Sequence, residues 1–269
     1  WLFFKEPKKS PLNATTILLI LFCLQISLST ITSLAPELAW PLWNRHIKTF
    51  VFIFLIIAIM RNKVRIHAFV WIIVLSLAFF GVRNGVYTIV SSGASHLAGP
   101  AGTIIGDNNH MALALVITLP LMNYLRLTTQ NKYVRWILVA GMVFTTLGVL
   151  GSYSRDSLIG LVAVLGYSII KLRRIGLAIM IVALLLPAIS TMPAQWSARM
   201  DTISKADEDS SFNLRLETWK TQHLIAENRP LVGGGFSATQ NPNVQFRYQP
   251  DINQGRAAHS IYFQVLGDH

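Results

Sequence analysis

The chain has 269 residues, 52% hydrophobic and only 13% charged, with a mean hydropathy of +0.48. A soluble domain carries about 25% charged residues, so an ordinary soluble protein is excluded and membrane spans are the first thing to count. The net charge of +11 raises nucleic acid as a partner, but the basic residues sit in short clusters between apolar spans, where membrane orientation accounts for them.

Lys5, Lys8 and Lys9 precede the first apolar run and fit a cytoplasmic loop better than a cleavable signal. The absence of an initiator Met and the stop after Gly267-Asp-His269 give the expectation of a fragment at both ends. A transmembrane helix needs about 20 mainly apolar residues. With flanks, seven stretches qualify: 14–34, 44–60, 66–82, 110–126, 134–152, 157–172 and 175–191. Cys23, the one cysteine, lies in the first of them and can form no intrachain disulfide. The runs lack two-residue alternation, which argues against a β-barrel. The expected fold is therefore all-α: a polytopic transmembrane helical bundle (residues 1–191) with one long, partly helical outer loop (192–269) leading toward a further span.

The loops test the count. Arg61, Lys63 and Arg65 follow the second span, Arg126, Lys132 and Arg135 the fourth, and Lys171, Arg173 and Arg174 the sixth. With the N-terminal lysines these make basic clusters at every second loop, Glu6 being their only acid. The positive-inside rule makes those loops cytoplasmic. Loops 35–43, 83–109, 153–156 and 192–269 then face outward.

In loop 83–109, Val86–Val90 is compatible with a short interfacial helix and Gly99-Pro-Ala-Gly102 with a turn. Asp107-Asn-Asn109 stands where Asp and Asn cap helices; a cap is preferred over a polar floor for a substrate. Ser152-Tyr-Ser-Arg155-Asp156 sits at the outer interface. An ionisable residue near membrane depth is costly unless paired and is a functional hypothesis by default. Arg155 could instead snorkel to the headgroups or pair with Asp156. Sequence neighbours do not face each other on a helix, so the functional reading is preferred.

In the long loop, Asp207-Glu-Asp209 and Ser210-Ser211 suit a helix N-terminus and Asn228-Arg-Pro230 a helix end, predicting a helix over 211–228. Arg215 then falls in or near its first turn, where the dipole disfavours a cation and an anion would be held by both the arginine and the free N–H groups. An ordinary arginine paired with Glu217 or an upstream acid explains the residue as well, and the two readings stand level. Gly233-Gly-Gly235 lacks the Lys-Ser/Thr of a phosphate loop and reads as a flexible turn open to close approach of a substrate. Three consecutive acids rarely converge on one ion, so no metal site is assigned to 207–209. His46, His67, His96 and His223 fit interfacial or structural positions, and His110 borders a span. His259, in Arg256-Ala-Ala-His259-Ser-Ile-Tyr262, enters a helix near the interface.

Four stretches in this order resemble the O-antigen ligase and Wzy-type polymerase superfamily: Gly151-Ser-Tyr-Ser-Arg155, Arg215 with Trp219, Arg229-Pro-Leu-Val-Gly-Gly-Gly-Phe236, and Ala258-His259-Ser-Ile-Tyr-Phe-Gln264. Asp107-Asn-Asn-His110 is similar to the family's Asn-rich approach to its core helices. Within the superfamily the chain most resembles the exosortase-associated probable O-glycosylation ligases. The resemblance implies a membrane glycosyltransferase of the bacterial inner membrane that inverts the sugar. Its donor would be a glycan on undecaprenyl diphosphate, and its acceptor a hydroxyl of lipid A core, protein or another glycan. It implies His259 as base, Arg155 and Arg215 as ligands of the departing diphosphate, and Arg229 and Trp219 in support, without metal or cofactor. The rivals are a polysaccharide polymerase, a lipid or polysaccharide transporter and a purely structural scaffold. The near absence of charge inside the spans argues against transport.

Overall fold

The computed structural model describes residues 12–93, 99–170 and 210–269 except Asn253, with six isolated positions between 171 and 209. The described residues form helices α1 (Ala14–Ile31), α2 (Pro36–Ile59), α3 (Lys63–Val90), α4 (Asn108–Thr128), α5 (Lys132–Leu150), α6 (Arg155–Ile170), α7 (Ser210–Asn228), α8 (Pro242–Tyr248) and α9 (Ile261–Asp268), with a 3-10 turn at Ala238–Gln240. Five of them, α1 to α5, are long and apolar enough to cross a membrane. This is a polytopic helical membrane protein. The sixth expected span is the 16-residue α6, and stretch 175–191, apart from two isolated positions, lies outside the described residues.

Short polar side chains start several of these helices. Asn13, Asp107 and Asn131 accept backbone N–H groups of α1, α4 and α5, so Asp107 is the cap that its position predicts. Two boundaries differ from expectation. The outward loop 35–43 is the beginning of α2, because Pro36 at the first position suits a helix start. Val86–Val90 is the end of α3 rather than a separate interfacial helix.

The reason for the longer α3 is its packing. The chain divides into two compact units, one of residues 63–205 and one of residues 1–62 with 206–269. In the first, Gly81, Asn84, Gly85 and Thr88 are buried at spacings that place them on one helical stripe. A Cβ at Gly81 would strike the Thr145 side chain, and one at Gly85 the backbone of Phe144. Gly148 of α5 meets the Gly81 carbonyl in return. In lipid, helices associate by such close packing of small residues, since apolar burial alone does not favour protein over lipid. Met111, Leu115, Met122, Leu138, Met142 and Leu161 fill the core around that contact.

In the second unit α1 and α2 pack as a pair, and α7 packs against α9. Buried Ala35, Ile225, Ala238 and Val244 join α7, the 3-10 turn and α8 to the turn between α1 and α2. The triple glycine is the tie. Gly233 and Gly235 have φ of +57° and +84°, angles open to glycine and rarely to others. Gly234 N–H donates to the Gly267 carbonyl at 2.7 Å and Gly235 N–H to the Asp268 carbonyl at 2.9 Å. A Cβ at Gly233 would meet the backbone of Asp268 and His269, and one at Gly235 would meet Ser33. The close approach allowed by these glycines is that of the chain to itself, which corrects the expectation of a flexible turn.

Candidate active site

Helix α7 begins at Ser210, so Arg215 is its sixth residue and stands in the second turn rather than the first. The dipole conflict expected of it is thereby weakened, since the effect fades beyond the first turn. Arg215 is half-buried and, among the described residues, has no ion-pair partner. Glu217, two positions on, cannot face it across the helix. The acids at 207–209 lie outside the described residues.

Arg215 lines a recess of about 180 Å³ together with Leu214, Thr218, Arg256, Ala257 and His259. Two residues named from the sequence, Arg215 and His259, are therefore brought to one place. Among the described residues that line it, none is acidic. Arg256 carries no signal of its own in the sequence, and only the tertiary fold brings it here. Its backbone is clamped on both sides by Thr239: its N–H donates to the Thr239 carbonyl at 2.8 Å, and its carbonyl accepts from the Thr239 hydroxyl at 3.0 Å. One guanidinium nitrogen donates to Gln254 at 2.7 Å, while Nε is buried without a partner among the described residues.

His259 is exposed, with φ of +50°, a left-handed conformation uncommon for a residue with a side chain. It precedes Ser260, the N-cap of α9. Trp219 holds it there. The indole N–H of Trp219 donates to the Ala258 carbonyl at 2.6 Å, and its ring stacks on Phe263 with centroids 4.8 Å apart and planes 9° from parallel. Arg229 lies outside this recess. It donates to the Thr32 carbonyl at 2.5 Å and lines a second recess.

Arg155 belongs to the other unit. It is half-buried and is the first residue of α6, so the dipole conflict argued for Arg215 applies here instead. Ser154 caps that helix: its hydroxyl accepts the Ser157 N–H at 3.3 Å. The turn before it is fixed from three directions. Asn108 donates to the Ser152 carbonyl at 2.8 Å, Tyr153, at φ +60°, donates to the Gly93 carbonyl at 2.5 Å, and Trp196 donates to the Leu150 carbonyl at 3.1 Å.

His46, His67, His110 and His223 have structural surroundings. His46 stacks on Phe236, His67 meets Trp71 and Tyr124, His110 stands 3.6 Å from Asp107 and His223 is 3.3 Å from Glu227. His96 lies outside the described residues. No group of three metal-ligating side chains occurs among the described residues.

Residues 140–269 match the O-antigen ligase family (Wzy_C), and residues 1–131 match a family of unknown function (DUF5935). No curated protein and no solved structure matches the chain. The first match spans Arg155, Arg215, Trp219, Arg229, Arg256 and His259, so both arginine-bearing turns and the recess fall inside it. Over residues 140–269 this multi-pass helical membrane protein belongs to the O-antigen ligase and Wzy superfamily of membrane enzymes.

Proposed function

We propose that the chain carries the transfer site of a ligase that moves a preassembled glycan from undecaprenyl diphosphate to an acceptor hydroxyl at the periplasmic face of the inner membrane. The observation that carries the reading is the recess in which Arg215, Arg256 and His259 meet with no acid among the described lining residues. As the sugar–oxygen bond breaks, negative charge grows on the diphosphate. Fork-shaped guanidinium donors fit that charge and stabilise it without a metal ion. The His259 imidazole takes the proton of the acceptor hydroxyl as its oxygen attacks the anomeric carbon opposite the diphosphate, which inverts that carbon.

Arg155, in the other unit, is a candidate phosphate ligand on local grounds alone. It is a cation at a helix N-terminus, where free N–H groups also favour an anion. Trp219 acts by placing the Ala258–His259 peptide. The alternation of basic clusters along the spans supports placing 192–269 on the periplasmic side.

The test is donor consumption by purified full-length protein in nanodiscs, offered lipid A core, protein and glycan acceptors in turn. One transferred chain per acceptor is expected, and EDTA should leave the rate unchanged. A ladder of products would mark a polymerase. Loss of transfer on chelation with rescue by Mg²⁺ would overturn the arginine mechanism.

A further inference from the structure

A second recess, of about 550 Å³, opens in the unit of residues 1–62 and 206–269. It is lined by Leu34, Leu224, Asn228, Arg229, Arg247 and Tyr248 and shares no residue with the recess of Arg215. Among its described lining residues, two are arginines and none is acidic.

The guanidinium of Arg229 is only partly engaged. One terminal nitrogen donates to the Thr32 carbonyl at 2.5 Å, while Nη1 is buried and, among the described residues, has no partner. A buried donor without an acceptor calls for an explanation, since such groups are rare. Arg247 occupies the last turn of α8, where the dipole favours a cation. It is exposed and makes no ion pair among the described residues. The Asn228 amide N–H donates to the Leu224 carbonyl at 2.7 Å, leaving its oxygen to accept. Tyr248 packs against the Ala35–Ile225 cluster and, among the described residues, its hydroxyl has no partner. Two forks with no carboxylate between them suit an oxyanion, and an amide oxygen beside a phenol suits hydroxyl groups.

We propose that this recess binds a saccharide through an oxyanion that it carries, a uronate carboxylate or a sugar phosphate. The saccharide rests on the ligase reading; the oxyanion rests on the two arginines alone. The site is separate from the transfer recess and would hold a neighbouring unit of donor or acceptor rather than the diphosphate.

The experiment is isothermal titration of the full chain in phosphatidylcholine nanodiscs with glucuronate and glucose 1-phosphate, glucose being the neutral control. At least one anion should bind about tenfold or more tightly than glucose, and Arg247→Gln should weaken it by about tenfold or more, the loss of one charge-assisted contact. Arg247 is exposed, so that variant should fold. Arg215→Gln, in the other recess, should leave the affinity within about twofold. Anions that bind no better than glucose, that bind Arg247→Gln as they bind the wild type, or whose binding follows Arg215 instead would overturn the proposal. A parallel titration in discs containing phosphatidylglycerol separates the sources. Competition by that lipid, lost in Arg247→Gln, would assign the oxyanion to a headgroup and overturn the saccharide; unchanged affinity upholds it. No transfer rate enters the measurement, so failure here leaves the ligase reading standing.

Discussion

The indole N–H of Trp219 donates to the carbonyl of Ala258 at 2.6 Å, so a residue in the middle of α7 holds the peptide that leads into His259. Trp219 thus has two internal partners, that carbonyl and the Phe263 ring, and its place in the site is to position.

Trp219→Phe keeps the stacking and deletes the hydrogen bond. One such bond is worth about 0.5–1.5 kcal/mol, so transfer should slow by about two- to tenfold while donor affinity stays unchanged. Trp219→Ala, losing both contacts, should slow it further and lower the melting temperature. A donor affinity that falls in Trp219→Phe as far as the rate does would show that the indole touches donor instead.

The glycine tie gives a stability prediction. Gly233→Ala puts a side chain at φ +57°, a conformation that costs about 1–2 kcal/mol, and directs it at the Asp268 backbone. Its melting temperature should drop clearly in detergent. Gly166→Ala is the control: a Cβ there meets nothing within 4 Å among the described residues, and alanine is the better helix former by about 0.5–1 kcal/mol. Equal melting temperatures for the two variants would remove the tie from the account of the fold.

The hydrophobic runs made the five long spans legible, and the caps placed α7 within one residue of where it begins. What the sequence could not show follows from what an apolar run hides. The stripe Gly81–Asn84–Gly85–Thr88 that extends α3 has meaning only against Thr145 and Phe144 of α5, and a run that is apolar all round carries no period to reveal it. Arg215 and His259 were legible because their neighbours resemble a family. Arg256 was not, since it reaches the recess only through the clamp on Thr239, a contact set by how residues 238–256 fold back. The Arg155 and Arg215 environments were exchanged for a related reason: helix starts are the least certain feature of a sequence, and the dipole argument turns on a single turn.

Asp268 gives a pH dependence. Burial raises its carboxyl from 3.8 to about 6, against hydrogen bonds from Ser237, Gln222 and Gln264 that favour the charged form. A raised carboxyl means that the folded chain holds the proton more tightly than the unfolded one. Stability should therefore fall as pH rises from about 4 to about 6, by at most about 1.4 kcal/mol per unit, and level off above. Asp268→Asn should flatten that slope in denaturant titrations across the window. A wild-type slope of the opposite sign, or one unchanged in Asp268→Asn, would place the cause elsewhere.

The division of labour in the first recess is testable because its groups differ in kind. Arg215 is a permanent cation suited to an anion, while an imidazole exchanges a proton near neutral pH. Arg215→Lys keeps the charge and loses the fork, so it should retain part of the activity. Arg215→Ala should weaken donor binding by about 10- to 100-fold, as expected for a bond to a charged group. His259 needs a variant that separates chemistry from conformation, because its φ of +50° strains any side chain placed there. His259→Gly relieves that strain, so the melting temperature should not fall. Donor affinity should stay near wild type, and transfer should drop by about 10²–10⁴-fold, the usual contribution of a general base. Donor affinity and single-turnover rate measured for each variant in nanodiscs decide the matter. If His259→Gly transfers at the wild-type rate, or loses donor as badly as Arg215→Ala, the imidazole is not the base and the recess works by charge alone.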